Sequence, residues 1–162
     1  MGSNIIETNI LIVANQPNHE AGEDCHATCR RFLFDIVSNQ RCVAIDSEGY
    51  IFKEYFTHAN LKGQPGLGDM FLKWLHEHQG FENIVEQVNI EAINLPEDLD
   101  NFDKSDLKFV QTAVGSRFKP ATIHNATDSD WLFFEQTTTR KRYLETEQIA
   151  INQLCRDCLK AL

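Results

Sequence analysis

Short apolar runs alternate with segments of helical spacing along the whole chain, and few folds accept that rhythm. Cys42 to Ile45 is a short apolar run of strand length that ends at Asp46, and Ala121 to Ala126 and Ile149 to Leu154 read as strands too. Between them, Cys25, Cys29, Phe32, Leu33 and Ile36 recur at the spacing that shares one helix face, which predicts a helix over 23–37. Ile51, Phe52, Tyr55 and Phe56 form a second such face, and Asp69 to Glu77 reads as a third helix. Asp103 to Asp106 open a fourth, through Ala113, with carboxylates in the first turn where the helix dipole favours them. Val85 to Ile93 alternates imperfectly and reads as a strand, and Trp131 to Gln136 as a short helix. Asn4 to Ala14 is almost continuously apolar and reads as one buried strand interrupted by Glu7-Thr8-Asn9. The stretches 15–22, 63–68 and 95–101 hold the Gly, Pro and Asn of loops. Strands alternating with helices require a parallel sheet covered on both faces. The expectation is therefore an α/β chain, a three-layer α/β/α fold around a central, mostly parallel sheet, in a single domain over 1–162.

Three of the runs lead into an acid: Ile5-Ile6 into Glu7, Val43-Ala44-Ile45 into Asp46, and Ile123 through Thr127 into Asp128. Ligands of open parallel sheets bind outside the carboxyl ends of the strands, so these acids can gather at one edge. Asp103 and Asp106 would join them from a helix N-terminus. Crowded carboxylates raise one another's pKa, and a divalent cation removes that penalty. Mg²⁺ or Mn²⁺, hard ions that prefer oxygen ligands and keep exchangeable waters, suit such a set. Acids at strand ends and helix starts also serve as caps and turn formers, and spacing alone leaves that reading open.

The formal charge of −9 argues against a nucleic-acid partner until it is located. Setting aside Glu7, Asp46, Glu54, Asp103, Asp106, Asp128 and Asp130 brings it to −2, so the excess lies in one candidate pocket. Arg30-Arg31 and Arg140-Lys141-Arg142 are the basic clusters; either is a phosphate contact or a solvated face. No apolar stretch reaches membrane-spanning length, and no leader pattern is visible. Five cysteines is an odd count, which reads as free thiols in a cytoplasmic protein. Cys25, Cys29, Cys155 and Cys158 together also have the makings of a four-cysteine zinc site, against the alternative that the first pair lines a helix face. Gly63, Gly66 and Gly68 lack the Lys and Ser or Thr of a phosphate-binding loop and read as a connector, with Asp69 as its cap. The six histidines are scattered and give no support to a Ser-His or Cys-His hydrolase. Asp128-Ser129-Asp130 has the spacing of a haloacid dehalogenase phosphatase pair, but at the wrong end of the chain and without the supporting Lys.

The order of these motifs resembles the PIN-like nuclease superfamily, particularly bacterial PIN-like proteins of uncertain biological role. Ile6-Glu7-Thr8-Asn9-Ile10 is similar to the family's opening strand, which normally reads Asp-Thr-Asn. Val43-Ala44-Ile45-Asp46 followed by Ile51-Phe52-Lys53-Glu54-Tyr55 resembles the second strand and the helix that carries the second acid. Phe102 to Phe109 and Ala126 to Trp131 resemble the segments of the third and fourth acids. The resemblance implies Glu7, Glu54, Asp106 and Asp128 as catalytic metal ligands, Asp103 and Asp130 as accessory ligands, and Asn9 and Asp46 as supporting groups. It implies an endoribonuclease dependent on Mg²⁺ or Mn²⁺, acting on RNA ahead of DNA, as a bacterial toxin or defence component. An antitoxin, another protein or a second copy of the chain are the implied protein partners. The departure is Glu7, one methylene longer than the usual Asp, and it opens the alternative of a catalytically weak module that binds a protein or RNA.

Overall fold

Glu7 divides the first apolar run in two. In the computed structural model, which describes residues 2–156, strand β1 spans Ser3–Ile6 and helix α1 spans Thr8–Asn15. The expected single strand over Asn4 to Ala14 is therefore corrected. Glu7 keeps an extended backbone (φ −67°, ψ 144°) while its carboxylate accepts the Asn9 N–H, which is how an N-cap starts a helix. The polar interruption is a helix start, and the apolar residues beyond it are helical core.

Helix α2 (Glu23–Ser38), strand β2 (Val43–Asp46), helix α3 (Tyr50–His58) and helix α4 (Leu67–Glu77) follow. Gly49, in the left-handed region at φ 88°, turns the chain from β2 into α3. At the start of α4 a Cβ on Gly68 would stand 2.5 Å from the Leu11 carbonyl oxygen, so glycine there lets α4 lie directly on α1. Asp69 accepts the Gly66 N–H at 3.0 Å and the Asn60 N–H at 2.9 Å, tying the connector to the helix it opens.

Strand β3 is short, Val85–Val88, because the chain then enters a 3₁₀ turn over Ile90–Ala92. The expected strand to Ile93 is thus half right. The stretch expected as loop holds a further 3₁₀ turn, Glu97–Leu99. A 3₁₀ turn over Lys104–Asp106 leads into helix α5 (Leu107–Gly115), then strand β4 (Ala121–Asn125). The short helix expected over 131–136 is a 3₁₀ segment, Ser129–Glu135. Helix α6 (Thr138–Thr146) has no counterpart in the sequence pattern; Leu144 is its one buried residue, so it carries no apolar stripe. Strand β5 (Ile149–Gln153) completes the sheet.

All five strands are parallel, in the order β3-β2-β1-β4-β5. Ile5 faces Ile123 and Ile6 faces His124 in the β1–β4 register. Helix α1 packs with α2, α3 and α4, while α5 packs on β1, β2 and β4. The architecture is the expected three-layer α/β/α arrangement about a parallel sheet. One hydrophobic cluster runs from Ile5 to Cys155.

Candidate metal centre

Strand β1 lies in the middle of the sheet. The chain leaves it for β2 on one side and returns as β4 on the other. The carboxyl ends of β1 and β4 thus flank the point where the connections diverge, the crevice in which open α/β sheets bind ligands. Glu7 follows β1 directly, and Asp128 stands three residues beyond the end of β4.

Glu7 is buried and its carboxyl is pushed up to about 8. Burial is the main cause, the Asn9 N–H at 2.7 Å opposes it, and Asp106, Glu54 and Asp128 add to it. Asp106, at the junction of the 3₁₀ turn and α5, is pushed up to about 7 by burial first, then by Asp128, with which it shares a hydrogen bond, and by Asp103. The carboxylates of Asp103, Asp106 and Asp130 come within 4.8 Å of one another. Asp130 is raised by its neighbour Asp128, whereas the backbone N–H and hydroxyl of Ser105 hold Asp103 below its ordinary value.

Glu54 reaches the group from α3, where it accepts the Thr8 hydroxyl and pairs with Lys108 at 3.4 Å. Glu54, Asp106 and Asp128 therefore all act on Glu7, while the trio whose oxygens lie within 4.8 Å of one another is Asp106 with Asp103 and Asp130, the two acids expected to be accessory. Asn9 joins the two strand ends: its side-chain Nδ2 donates to Asn125 Oδ1 at 2.7 Å and its side-chain Oδ1 accepts the Ala126 N–H at 2.9 Å. Asp46 serves a different purpose. Both of its oxygens are engaged by the first N–H groups of α3, Tyr50 at 2.7 Å and Ile51 at 2.8 Å, so its support goes to the helix that carries Glu54.

Sequence reading passed over four groups. Thr8 lies inside the Glu-Thr-Asn motif but has no role until the fold brings Glu54 to it. Lys108, two residues after Asp106, pairs with Glu54 and opposes the rise of the Asp106 carboxyl. Tyr55, fully buried, donates its hydroxyl to the Ile6 carbonyl at the end of β1. Asn125 holds the Asp128 loop, donating to the Asp128 carbonyl at 2.8 Å.

Two clefts border the acids. One, of about 630 Å³, is lined by Asp103, Asp130, Phe133 and Arg140, with the Arg140 guanidinium 3.5 Å over the Phe133 ring. The other, of about 570 Å³, is lined by Glu54, Lys53, Lys104, Lys108 and the exposed Tyr50. Arg140 thus belongs to the rim of the site, while Arg30 and Arg31 lie on the exposed face of α2. No protein-family model, curated protein or solved structure matches the chain. Among the described residues no helix is long and apolar enough to cross a membrane.

The cysteines correct the expectation of free thiols. Cys25 and Cys155 form a disulfide, a pairing that a sequence separation of 130 hides from any reading of local spacing. The odd count therefore no longer argues for a reducing compartment. Cys158 lies outside the described residues.

Proposed function

We propose that the chain is a PIN-like nuclease, a bacterial endoribonuclease that hydrolyses phosphodiester bonds with Mg²⁺ or Mn²⁺. Single-stranded RNA is the favoured substrate. The observation that carries this reading is the gathering of carboxylates at the sheet's crevice, with Glu7 and Asp106 raised first by burial and further by neighbouring acids. The donor set is carboxylate oxygen throughout, which fits a hard divalent cation. Asp103, Asp106 and Asp130 would hold it, with Glu7, Glu54 and Asp128 completing the ring. Bound there, the ion would supply charge to a scissile phosphate and lower the pKa of an attacking water.

The chain's own groups do the rest. Thr8 and Lys108 fix the two oxygens of Glu54. Asn9 and Asn125 hold the loop of Asp128 against β1. Lysines in one cleft and Arg140 in the other flank the acids, with Tyr50 and Phe133 beside them, and cations interleaved with aromatic faces suit a single strand. A cytoplasmic toxin or defence role, with an antitoxin or a second copy as protein partner, belongs to the same proposal.

One observation favours a second reading. Glu7 Oε2 caps α1 through the Asn9 N–H, which leaves the other oxygen for a metal and supports a module that binds RNA or protein with weak cleavage. Incubation of the protein with labelled single-stranded RNA, single-stranded DNA and duplexes, with Mg²⁺ or Mn²⁺, separates the two. Cleavage of RNA that is lost in Asp106→Asn, with the fold intact, is the expected result. Equal cleavage by both proteins overturns the nuclease reading, and Mn²⁺-dependent binding without cleavage favours the second.

A further inference from the structure

Three of the five cysteines meet away from the carboxylates. Helix α2 places Cys25 and Cys29 one turn apart on its buried face, because residues i and i+4 of a helix stand one above the other. Cys155, two residues beyond β5, arrives at the same place, and the three sulfurs lie within 4.8 Å of one another. A disulfide requires two of them. The third, Cys29, is buried and within 4.8 Å of both. A second observation concerns Gln153. It is nine-tenths buried, its Nε2 has no hydrogen-bond partner among the described residues, and it lines the same 300 Å³ cavity as Cys25 and Cys155.

We propose that Cys25, Cys29 and Cys155, when reduced, form a thiolate site for a borderline-soft divalent cation of the zinc class, and that the Cys25–Cys155 disulfide is the closed form of that site. The geometry agrees with the chemistry. Metal–sulfur bonds of about 2.3 Å in a tetrahedral site set sulfurs roughly 3.8 Å apart, inside the range over which these three already gather. Cys25 stands in the first turn of α2, where the partial positive charge of the helix end favours an anionic sulfur. The Gln153 amide is a donor of the kind that thiolate ligands accept from their surroundings.

Opening the site is a two-electron reduction. Two thiols of a glutathione- or thioredoxin-class reductant become one disulfide, and Cys25 and Cys155 each take up a proton. Binding the cation then releases three thiol protons and leaves a metal tris-thiolate of net charge −1. The site shares no residue with the carboxylates and does not depend on nuclease activity.

The test uses Co²⁺ as the probe, added anaerobically to the whole chain in the presence of a phosphine reductant. A near-ultraviolet thiolate-to-cobalt charge-transfer band that saturates at one ion per chain and is displaced by Zn²⁺ is expected. Carboxylate-bound cobalt gives no such band, so the Asp106→Asn variant retains it whatever becomes of the nuclease reading. The oxidised protein lacks it. Cys29→Ser can still form the disulfide, which a mass measurement of the unreduced protein verifies. On reduction its cobalt affinity is expected to fall at least about tenfold. A reduced wild-type chain without the band, folded or not, overturns the proposal. So does a Cys29→Ser variant that binds cobalt as wild type does.

Discussion

At Glu7 two demands pull a single proton in opposite directions. As an N-cap the side chain accepts the Asn9 N–H and favours charge; as a buried acid facing Asp106, Glu54 and Asp128 it favours neutrality, and burial prevails. The folded carboxyl, raised to about 8 from an ordinary 4.5, holds its proton where the unfolded chain would release it. Its contribution to stability is whole below pH 4.5 and is lost as pH rises through 8; Asp106, raised to about 7, adds in the same direction. The metal-free protein is expected to lose thermal stability between pH 5 and 8, with an effect on the order of a few kcal/mol. Glu7→Gln should flatten that slope in thermal melts recorded across the range. Mn²⁺ should raise the melting temperature more at pH 8 than at pH 5.5, since a cation displaces protons from the same oxygens. A wild-type slope that rises with pH would contradict the placement of these acids in one buried group.

At the level of elements, what the sequence discloses depends on how local the cause is. α2, β2, α4 and the acid-led start of α5 were legible because each carries its own apolar period or first-turn charge. The junction of β1 and α1 was not, since a cap between two apolar runs looks like a flaw in one strand. α6 has almost no buried face to betray it. For the site, Glu7, Glu54, Asp106 and Asp128 were nominated by motif order, but the closeness of Asp103 and Asp130 to Asp106 is set by how a 3₁₀ turn meets the loop after β4, which no spacing records. Asp46 shows the same limit: it ends an apolar run like the others, yet it caps α3. Asp46→Ala is expected to destabilise the protein by about 1–2 kcal/mol, read from urea unfolding midpoints. Its Mn²⁺ affinity should stay within a few-fold of wild type once the fold is stabilised by lower temperature. A loss of metal binding larger than the loss of stability would return Asp46 to the ligand set.

For the whole molecule, the Cys25–Cys155 link closes a loop of 130 residues, so its entropic effect on the unfolded chain is large. Reduction without added metal is expected to lower stability by up to about 5 kcal/mol on the chain-entropy account, seen as a drop in the urea midpoint that Cys25→Ser reproduces without reductant. The link also lies next to a run of hydrogen bonds that leads inward: Gln153 to Asn125 at 2.6 Å, then Asn125 to Asn9 and to the Asp128 carbonyl. The last strand thereby buttresses the loop of the candidate centre. The position of β1 at the centre of the sheet has a further bearing, on how a ribosome delivers the chain. β1 finds β2 early, but its other edge must wait for β4, which begins only at residue 121. Until then the nascent chain holds a half-built sheet whose bare flank is Asn4-Ile5-Ile6, an apolar strand with unpaired backbone groups. The hazard of aggregation is therefore greatest in the interval between the emergence of β3 and that of β4, and it is there that a chaperone would find its strongest foothold.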